Sequence, residues 1–389
     1  MIFEFATATR ILFGPGALQN ALPEIGTYGR RALIVTGSTP QRYAQPMEKL
    51  AAEGLFIFNF EVLDEPTTTI VEDGARQARQ ERCDLVMAIG GGSVVDTGKA
   101  IAAMITNTDP LTDYLEVIGK ARPLQNAPAP FIAVPTTAGT GAEVTRNAVL
   151  EAPSHKVKVS LRSPLMLPRL AIVDPELTLS LPPDVTAATG MDALTQLVEA
   201  FLSLKSNPIT DGLCREGLQR CSRSIVTAVR DGDDMAARVD MSLASLFSGL
   251  ALANGGLGAI HGIAGPLGGW TSIPHGTICG RLLPLVFETN RRLLASEYGS
   301  EGMHRRFDEI SRMVTGNPKA TAREGSRWFR ALRRELEIPS LSRYEGLSMP
   351  DLPAIAENAL NASSMKGNPV PLGKTDIIDI LKRAMDPDS

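Results

Sequence analysis

The sequence predicts an N-terminal doubly wound α/β domain built on a parallel sheet, followed by an all-α C-terminal domain. Two observations carry this. In the first half, short runs that are apolar throughout alternate with helix-length polar segments: RALIVTG at 31–37, LFIFNF at 55–60, DLVMAIG at 84–90, FIAVPTT at 131–137 and LAIVDP at 170–175. Strands that are apolar on both faces are those covered by helices on both sides of a parallel sheet. After Leu181-Pro182-Pro183 such runs stop, and helical patterns such as DALTQLVEAFLSL and DIIDILKRAM take over. The expected domains are therefore 1–182 and 183–389.

At the start, FEFATATRILFG alternates in part as a strand does and reads as an edge hairpin, within one subunit or paired with another. Near the end, SRWFRALRRELE at 326–337 is rich in arginine but spaces Trp328, Phe329, Leu332 and Leu336 as one helical stripe. That pattern predicts an amphipathic helix rather than a nucleic-acid patch.

Composition narrows the function. The 389 residues are 43% hydrophobic and 21% charged, with a net charge of −4. These values fit a globular protein and give no polycationic surface for nucleic acid or an anionic membrane. No uninterrupted apolar stretch approaches the roughly 20 residues that span a bilayer, so a small-molecule partner is expected. The opening MIFEFATATRILFGPG lacks the pattern of a secretory signal. Cys83, Cys214, Cys221 and Cys279 are few, widely spaced and without CxxC pairing. They read as buried thiols of a cytoplasmic protein, with no chemistry assigned to them.

Two loops at strand ends suit a nucleotide. In DLVMAIGGGSVVDTGKA a buried strand ends in Gly90, Gly91 and Gly92, and a helix is expected from about Ser93. Glycines let the backbone approach an oxyanion, and a helix start offers unpaired N–H groups with partial positive charge. Asp96, three residues after Ser93, completes a capping-box-like pattern and is structural or functional on that basis. The second loop, VPTTAGTGAEVT at 134–145, carries the hydroxyls of Thr136, Thr137, Thr140 and Thr145. A GxGxxG after the first strand is absent.

The second half holds a constellation with metal character. Asp192 and Gln196 in GMDALTQ stand at i, i+4, which puts both side chains on one helical face. His261 in HGIAGPLGG and His275 in SIPHGTICG lie 275 − 261 = 14 positions apart, two of only four histidines in the chain. One carboxylate with two imidazoles suggests a catalytic divalent ion.

The stretches ILFGPGAL, AIGGGSVVDTGKA, PTTAGTGAEVT, AIVDPELTLSLPP, ATGMDALTQLVEAFLS, AIHGIAGPLGG, PHGTICGRLLP and NPVPLGKTDIIDILKRA run in order over essentially the whole chain. Through them it resembles the iron-containing, group III, alcohol dehydrogenase family. The resemblance implies an NAD(P)-binding α/β domain, a helical domain, an active site in the cleft between them, and at least a homodimer. It puts the phosphate-binding turn on Gly90 to Ser93, the threonine loop on Thr136, Thr137, Thr140 and Thr145, and a cofactor-side lysine on Lys158. The family's metal ligands, one aspartate and three histidines, fall on Asp192, Gln196, His261 and His275.

Two departures from the family pattern matter. Gln196 replaces an imidazole with a neutral amide, a weaker donor for iron or zinc, so the ion is expected to be loosely held or absent. Gly265 stands where many members carry a further histidine of a proton path. After the first predicted strand, Gly37 and Ser38 replace the acidic residue that repels a 2′-phosphate in NAD-preferring members, and Arg42 is nearby, so NADP is favoured. The expected reaction is hydride transfer between an alcohol and NAD(P), with Asp192, His261 and His275 as the catalytic set. The alternatives are a metal-independent reductase akin to maleylacetate reductases, or a nucleotide-binding protein that has lost catalysis.

Overall fold

The computed structural model describes every residue except Met1, Asp64, Lys156, 297–299 and 388–389, and Ser154 by its backbone alone. The chain divides into two compact units: Ala6–Thr137 with Gly141–Leu179, and Met1–Phe5 with Ala138–Thr140 and Ser180–Ser389.

The first unit is built on strands β1 (Ile11–Phe13), β2 (Arg31–Thr36), β3 (Phe56–Glu61), β4 (Leu85–Gly90), β5 (Phe131–Pro135) and β8 (Leu170–Val173). They form one sheet in the order β1-β8-β5-β4-β2-β3, parallel throughout. Helices α1 (Ala17–Ile25), α2 (Ala44–Ala52), α3 (Thr68–Gln80), α4 (Gly92–Thr106) and the short α5 (Leu111–Tyr114) complete it. Alternation along β2 explains the double covering. Ala32 and Ile34 join Leu18, Leu22 and Leu50 of α1 and α2 in one core, while Leu33 and Val35 join Val71, Ala75 and Ile101 of α3 and α4 in the other. The predicted doubly wound parallel sheet is therefore present.

Two local differences have physical reasons. The expected N-terminal hairpin does not form among the described residues: Ile11–Phe13 is a single edge strand that pairs parallel with Ala171–Val173. A three-residue strand can borrow its partner from a distant part of the chain, and alternation alone does not say which. A separate antiparallel pair, β6 (Asn147–Ala152) with β7 (Val157–Arg162), is also present. Its alternating burial is the ordinary sign of a half-exposed hairpin.

The second unit is helical: α6 (Pro183–Leu202), α7 (Pro208–Arg230), α8 (Met235–Gly255), α9 (Ala259–Trp270), α10 (His275–Ser296), α11 (Glu301–Thr315), α12 (Ala322–Glu335), α13 (Leu352–Asn361) and α14 (Lys374–Met385). Its core runs from Leu194 and Phe201 of α6 through Leu282 and Phe287 of α10 to Phe329 of α12 and Ile380 of α14. The arginine-rich segment is the amphipathic α12, with Phe329 and Leu332 buried. Against expectation, α8 is long and apolar enough by composition to cross a membrane, but 61% of its apolar window is buried inside the protein. It packs on α6 and α7 as a core helix.

Candidate active site

In the α/β unit, the chain doubles back at the centre of the sheet. After β2 the chain runs outward to β3, then returns to the other side of β2 as β4 and continues to β5. Such a reversal leaves a crevice at the carboxyl ends of the flanking strands, where open α/β sheets hold ligands. Gly37 follows β2, Gly90 ends β4, and Thr136 and Thr137 follow β5, so three predicted cofactor segments share this edge. A Cβ on Gly37 would lie 3.7 Å from Val94 Cγ2, and one on Gly91 would lie 3.4 Å from Thr137 Cγ2. The loops are therefore mutual neighbours.

The glycine turn is built for close approach. A Cβ on Gly90 would fall 2.6 Å from Val94, because the first turn of α4 folds tightly onto the end of β4. Helix α4 starts at Gly92, one residue before the expected Ser93, and its N-cap is Gly91 with no side-chain cap. The start of α4 thus points backbone N–H groups toward the strand ends.

The structure gives Asp96 a different role from the expected capping box. Its carboxylate accepts from the Val149 N–H (2.9 Å) and pairs with Lys99 (3.4 Å), tying α4 to β6. Thr145 likewise turns inward. Its hydroxyl donates to the Ala142 carbonyl and accepts from Lys99 Nζ at 2.9 Å. Lys99, which the sequence reading passed over, is 1% exposed and also donates to the Ala142 and Asn147 carbonyls, each at 2.7 Å. A single ammonium thus clamps the second cofactor loop onto α4. Lys158, on β7, pairs with Glu65 at 3.0 Å. The remaining candidate, Ser38, lies in the bend after β2.

The helical unit assembles the candidate metal ligands on α6, α9 and α10. Asp192, Gln196 and Glu199 stand at i, i+4 and i+7 of α6, a polar stripe on an otherwise buried helix. His261 sits in the first turn of α9, and His275 opens α10, one turn before Cys279. Helix α10 crosses α6 closely enough that a Cβ on Gly276 would lie 2.1 Å from the Ala188 carbonyl oxygen. Only glycine allows that approach, and it delivers His275 and Cys279 to Asp192.

Asp192, His261, His275 and Cys279 each offer one ligand atom, all within 4.8 Å of one another. Asp192 Oδ1 lies 3.2 Å from His261 Nε2 and 3.8 Å from His275 Nε2. Cys279 Sγ lies 3.7 Å from His261 Nε2 and 3.6 Å from His275 Nε2. Cys279 stands in no CxxC pair, so cysteine spacing alone gives it no chemistry. The signal was its i+4 spacing from His275.

Glu199 was the other omission. Its carboxylate accepts from the N–H of Ile260 (2.5 Å) and of His261 (3.3 Å), capping α9, and accepts from His261 Nδ1 at 2.7 Å. An anion there satisfies the orphan donors of a helix start. It also fixes the proton of His261 on Nδ1 and leaves Nε2 to face Asp192.

Gln196 does not present its oxygen to the cluster. Oε1 accepts from the Ser248 hydroxyl at 3.0 Å, while Nε2 faces the Thr140 carbonyl (3.3 Å) and Asp192 Oδ2 (3.5 Å). Reversing the amide would set its oxygen against two acceptors. Thr140 thus meets Gln196 through its backbone carbonyl.

The charges of the cluster support one another. Burial opposes a charged His261, but Cys279, Asp192 and Glu199 override it and hold the imidazolium pKa well above 6.5. Burial likewise opposes a charged Asp192, and His261 and His275 outweigh it, holding that carboxyl below its usual range. Four donor atoms of metal-binding type brought this close together have the chemistry of a cation site.

Comparison with known proteins agrees with this division of labour. The family model for iron-containing alcohol dehydrogenase matches residues 8–175, and that for the C-terminal part of the same family matches residues 186–385. Alcohol dehydrogenase 4 of Saccharomyces cerevisiae is 33% identical over 377 residues, covering 96% of each chain. The 4-hydroxybutyrate dehydrogenase of Cupriavidus necator is 41% identical over 269 residues, 67% of this chain and 70% of its own. The solved alcohol dehydrogenase from Oenococcus oeni superposes with a TM-score of 0.90 at 31% identity, covering 98% of this chain and 100% of its own. With both units matched along their length, the chain belongs to the iron-containing alcohol dehydrogenase family and is an oxidoreductase acting on CH–OH groups.

Proposed function

We propose that the protein interconverts a small primary or secondary alcohol with its aldehyde or ketone at the expense of NAD(P), and that Asp192, His261 and His275 hold a divalent ion, iron or zinc. The observation that carries this reading is the convergence of these three side chains from α6, α9 and α10 within hydrogen-bond to ligand distance. An ion held there would supply Lewis acidity to the substrate oxygen.

The protein's own groups do the rest. Glu199 holds the His261 ring in one tautomer and orientation. Side-chain exposure is 3% at Asp192, 8% at His261 and 39% at His275, so the open side of the cluster, where substrate enters, is that of His275. A Cβ on Gly265 would meet nothing within 4 Å. Gly265 therefore offers no side chain to relay the alcohol's proton, where the family pattern carries a histidine.

In the α/β unit, the N-terminus of α4 with Gly90, Gly91, Gly92 and Ser93 binds the pyrophosphate, and Gly37, Ser38, Thr136 and Thr137 line the same edge. NADP is preferred, because Gly37 presents no carboxylate to a 2′-phosphate and Arg42 follows in the next turn. A homodimer in the cytoplasm completes the reading; the four buried free thiols suit a reducing compartment.

The test is a panel of short alcohols, diols, hydroxy acids and aldehydes assayed with both nicotinamides. Turnover on this panel, with higher kcat/KM for NADP than for NAD, is expected. No turnover on any substrate despite tight NADPH binding would overturn the reading.

A further inference from the structure

We propose that the fourth protein ligand of this metal centre is the Cys279 thiolate and not the Gln196 amide, which gives a set of one oxygen, two nitrogens and one sulfur suited to zinc. This rests on the metal reading above and deepens it. Zinc-ligand bonds of about 2.0 to 2.3 Å set the edges of a tetrahedron at roughly 3.3 to 3.7 Å. The four contacts measured around the cluster are 3.2, 3.8, 3.7 and 3.6 Å. Four of the six edges of such a tetrahedron are thus close to the lengths zinc requires, and all four residues place a ligand atom within 4.8 Å of one another.

The local sequence makes the substitution consistent. Cys279 is fully buried and lies one helical turn from His275, so α10 presents both atoms on one face. Gln196 occupies the family's third histidine position, but its oxygen is spent on Ser248 and its nitrogen, which cannot ligate, faces Asp192. The donor lost from α6 is therefore supplied from α10. Coordination requires the thiolate and imidazoles with a bare Nε2, so binding of the ion would displace to solvent any proton on Cys279 Sγ, His261 Nε2 and His275 Nε2, while the ion keeps its oxidation state. A thiolate raises affinity for zinc over ferrous iron beyond the ordinary order of divalent ions. The exposed edge of His275 leaves the cluster open on that side for a substrate.

The experiment is cobalt substitution of the full-length protein, made metal-free and reloaded under anaerobic conditions. The expected spectrum at one cobalt per chain has a sulfur-to-cobalt charge-transfer band in the near ultraviolet together with strong tetrahedral visible bands. In Cys279→Ser the charge-transfer band disappears and zinc affinity falls by more than about a hundredfold, beyond the range of an outer-shell partner; in Gln196→Ala the band is retained. Cys279→His, which restores an imidazole, recovers affinity without the sulfur band. One equivalent of cobalt bound to the unmodified protein without a sulfur band would overturn the Cys279 assignment and leave the metal reading standing. No cobalt or zinc bound, with full turnover in metal-free protein, would remove both.

Discussion

Glu199 Oε2 lies 2.7 Å from His261 Nδ1, and the same carboxylate caps the helix that carries His261. Backbone placement and ring orientation of His261, a proposed metal ligand, are thus set by one side chain from a neighbouring helix. Glu199→Gln retains an acceptor for the backbone N–H groups but weakens the charge behind the imidazole. Metal affinity is expected to fall about ten- to a hundredfold with the fold intact. Competition with a chromophoric chelator checks this, and unchanged affinity would show that Glu199 serves α9 alone.

Lys99 is the counterpart in the α/β unit. Its ammonium touches Asp96, Thr145 and two carbonyls between α4 and the loop that follows β5. Lys99→Met keeps the stem and removes the charge, which leaves the Asp96 carboxylate without its cation. The expected loss is about 3 to 5 kcal/mol of stability, as for breaking a buried pair, together with weaker NAD(P) binding. Denaturant unfolding and cofactor titration measure the two effects separately.

Glu143 makes the stability of the protein depend on pH. It is 2% exposed, and burial pushes its carboxyl up from 4.5 to about 7. Between these values the unfolded chain releases a proton that the folded chain keeps. Stability therefore falls as pH rises through that window, by on the order of 3 kcal/mol. The neutral isostere Glu143→Gln should raise the melting temperature at pH 8 more than at pH 5. Equal shifts at both pH values would assign the pH dependence elsewhere.

The proposed preference for NADP rests on Gly37. A Cβ there would make only an ordinary contact with Val94, so the backbone site admits a side chain and Gly37→Asp can be made. The introduced carboxylate should repel a 2′-phosphate and accept from a ribose hydroxyl, moving the NADP to NAD ratio of kcat/KM toward NAD by about tenfold or more. An unchanged ratio would place cofactor selection at another position.

Much of this was legible in the sequence, and the exceptions share a cause. The central strands announce themselves because both faces are buried, so DLVMAIG and FIAVPTT are apolar without interruption. The edge strand Ile11–Phe13 does not, since three residues carry too little pattern to name a partner. Asp192, His261 and His275 were found by residue type. Glu199 and Cys279 needed spacing, at i+7 from Asp192 and i+4 from His275, read as positions on helices. The orientation of the Gln196 amide depends on Ser248 and Thr140, 52 and 56 positions away, and no local pattern encodes it. The same holds for Lys99, whose partners other than Asp96 lie 43 to 48 residues further along the chain.

The central claim is that hydride transfer here depends on an ion gathered by Asp192, His261 and His275. Metal content and alcohol-dependent reduction of NADP, measured on the same samples through stepwise chelation and reloading, test it most directly. Turnover should fall in proportion to the metal removed, from about one equivalent per chain, and return when zinc or iron is restored. Full turnover in protein stripped of metal would contradict it.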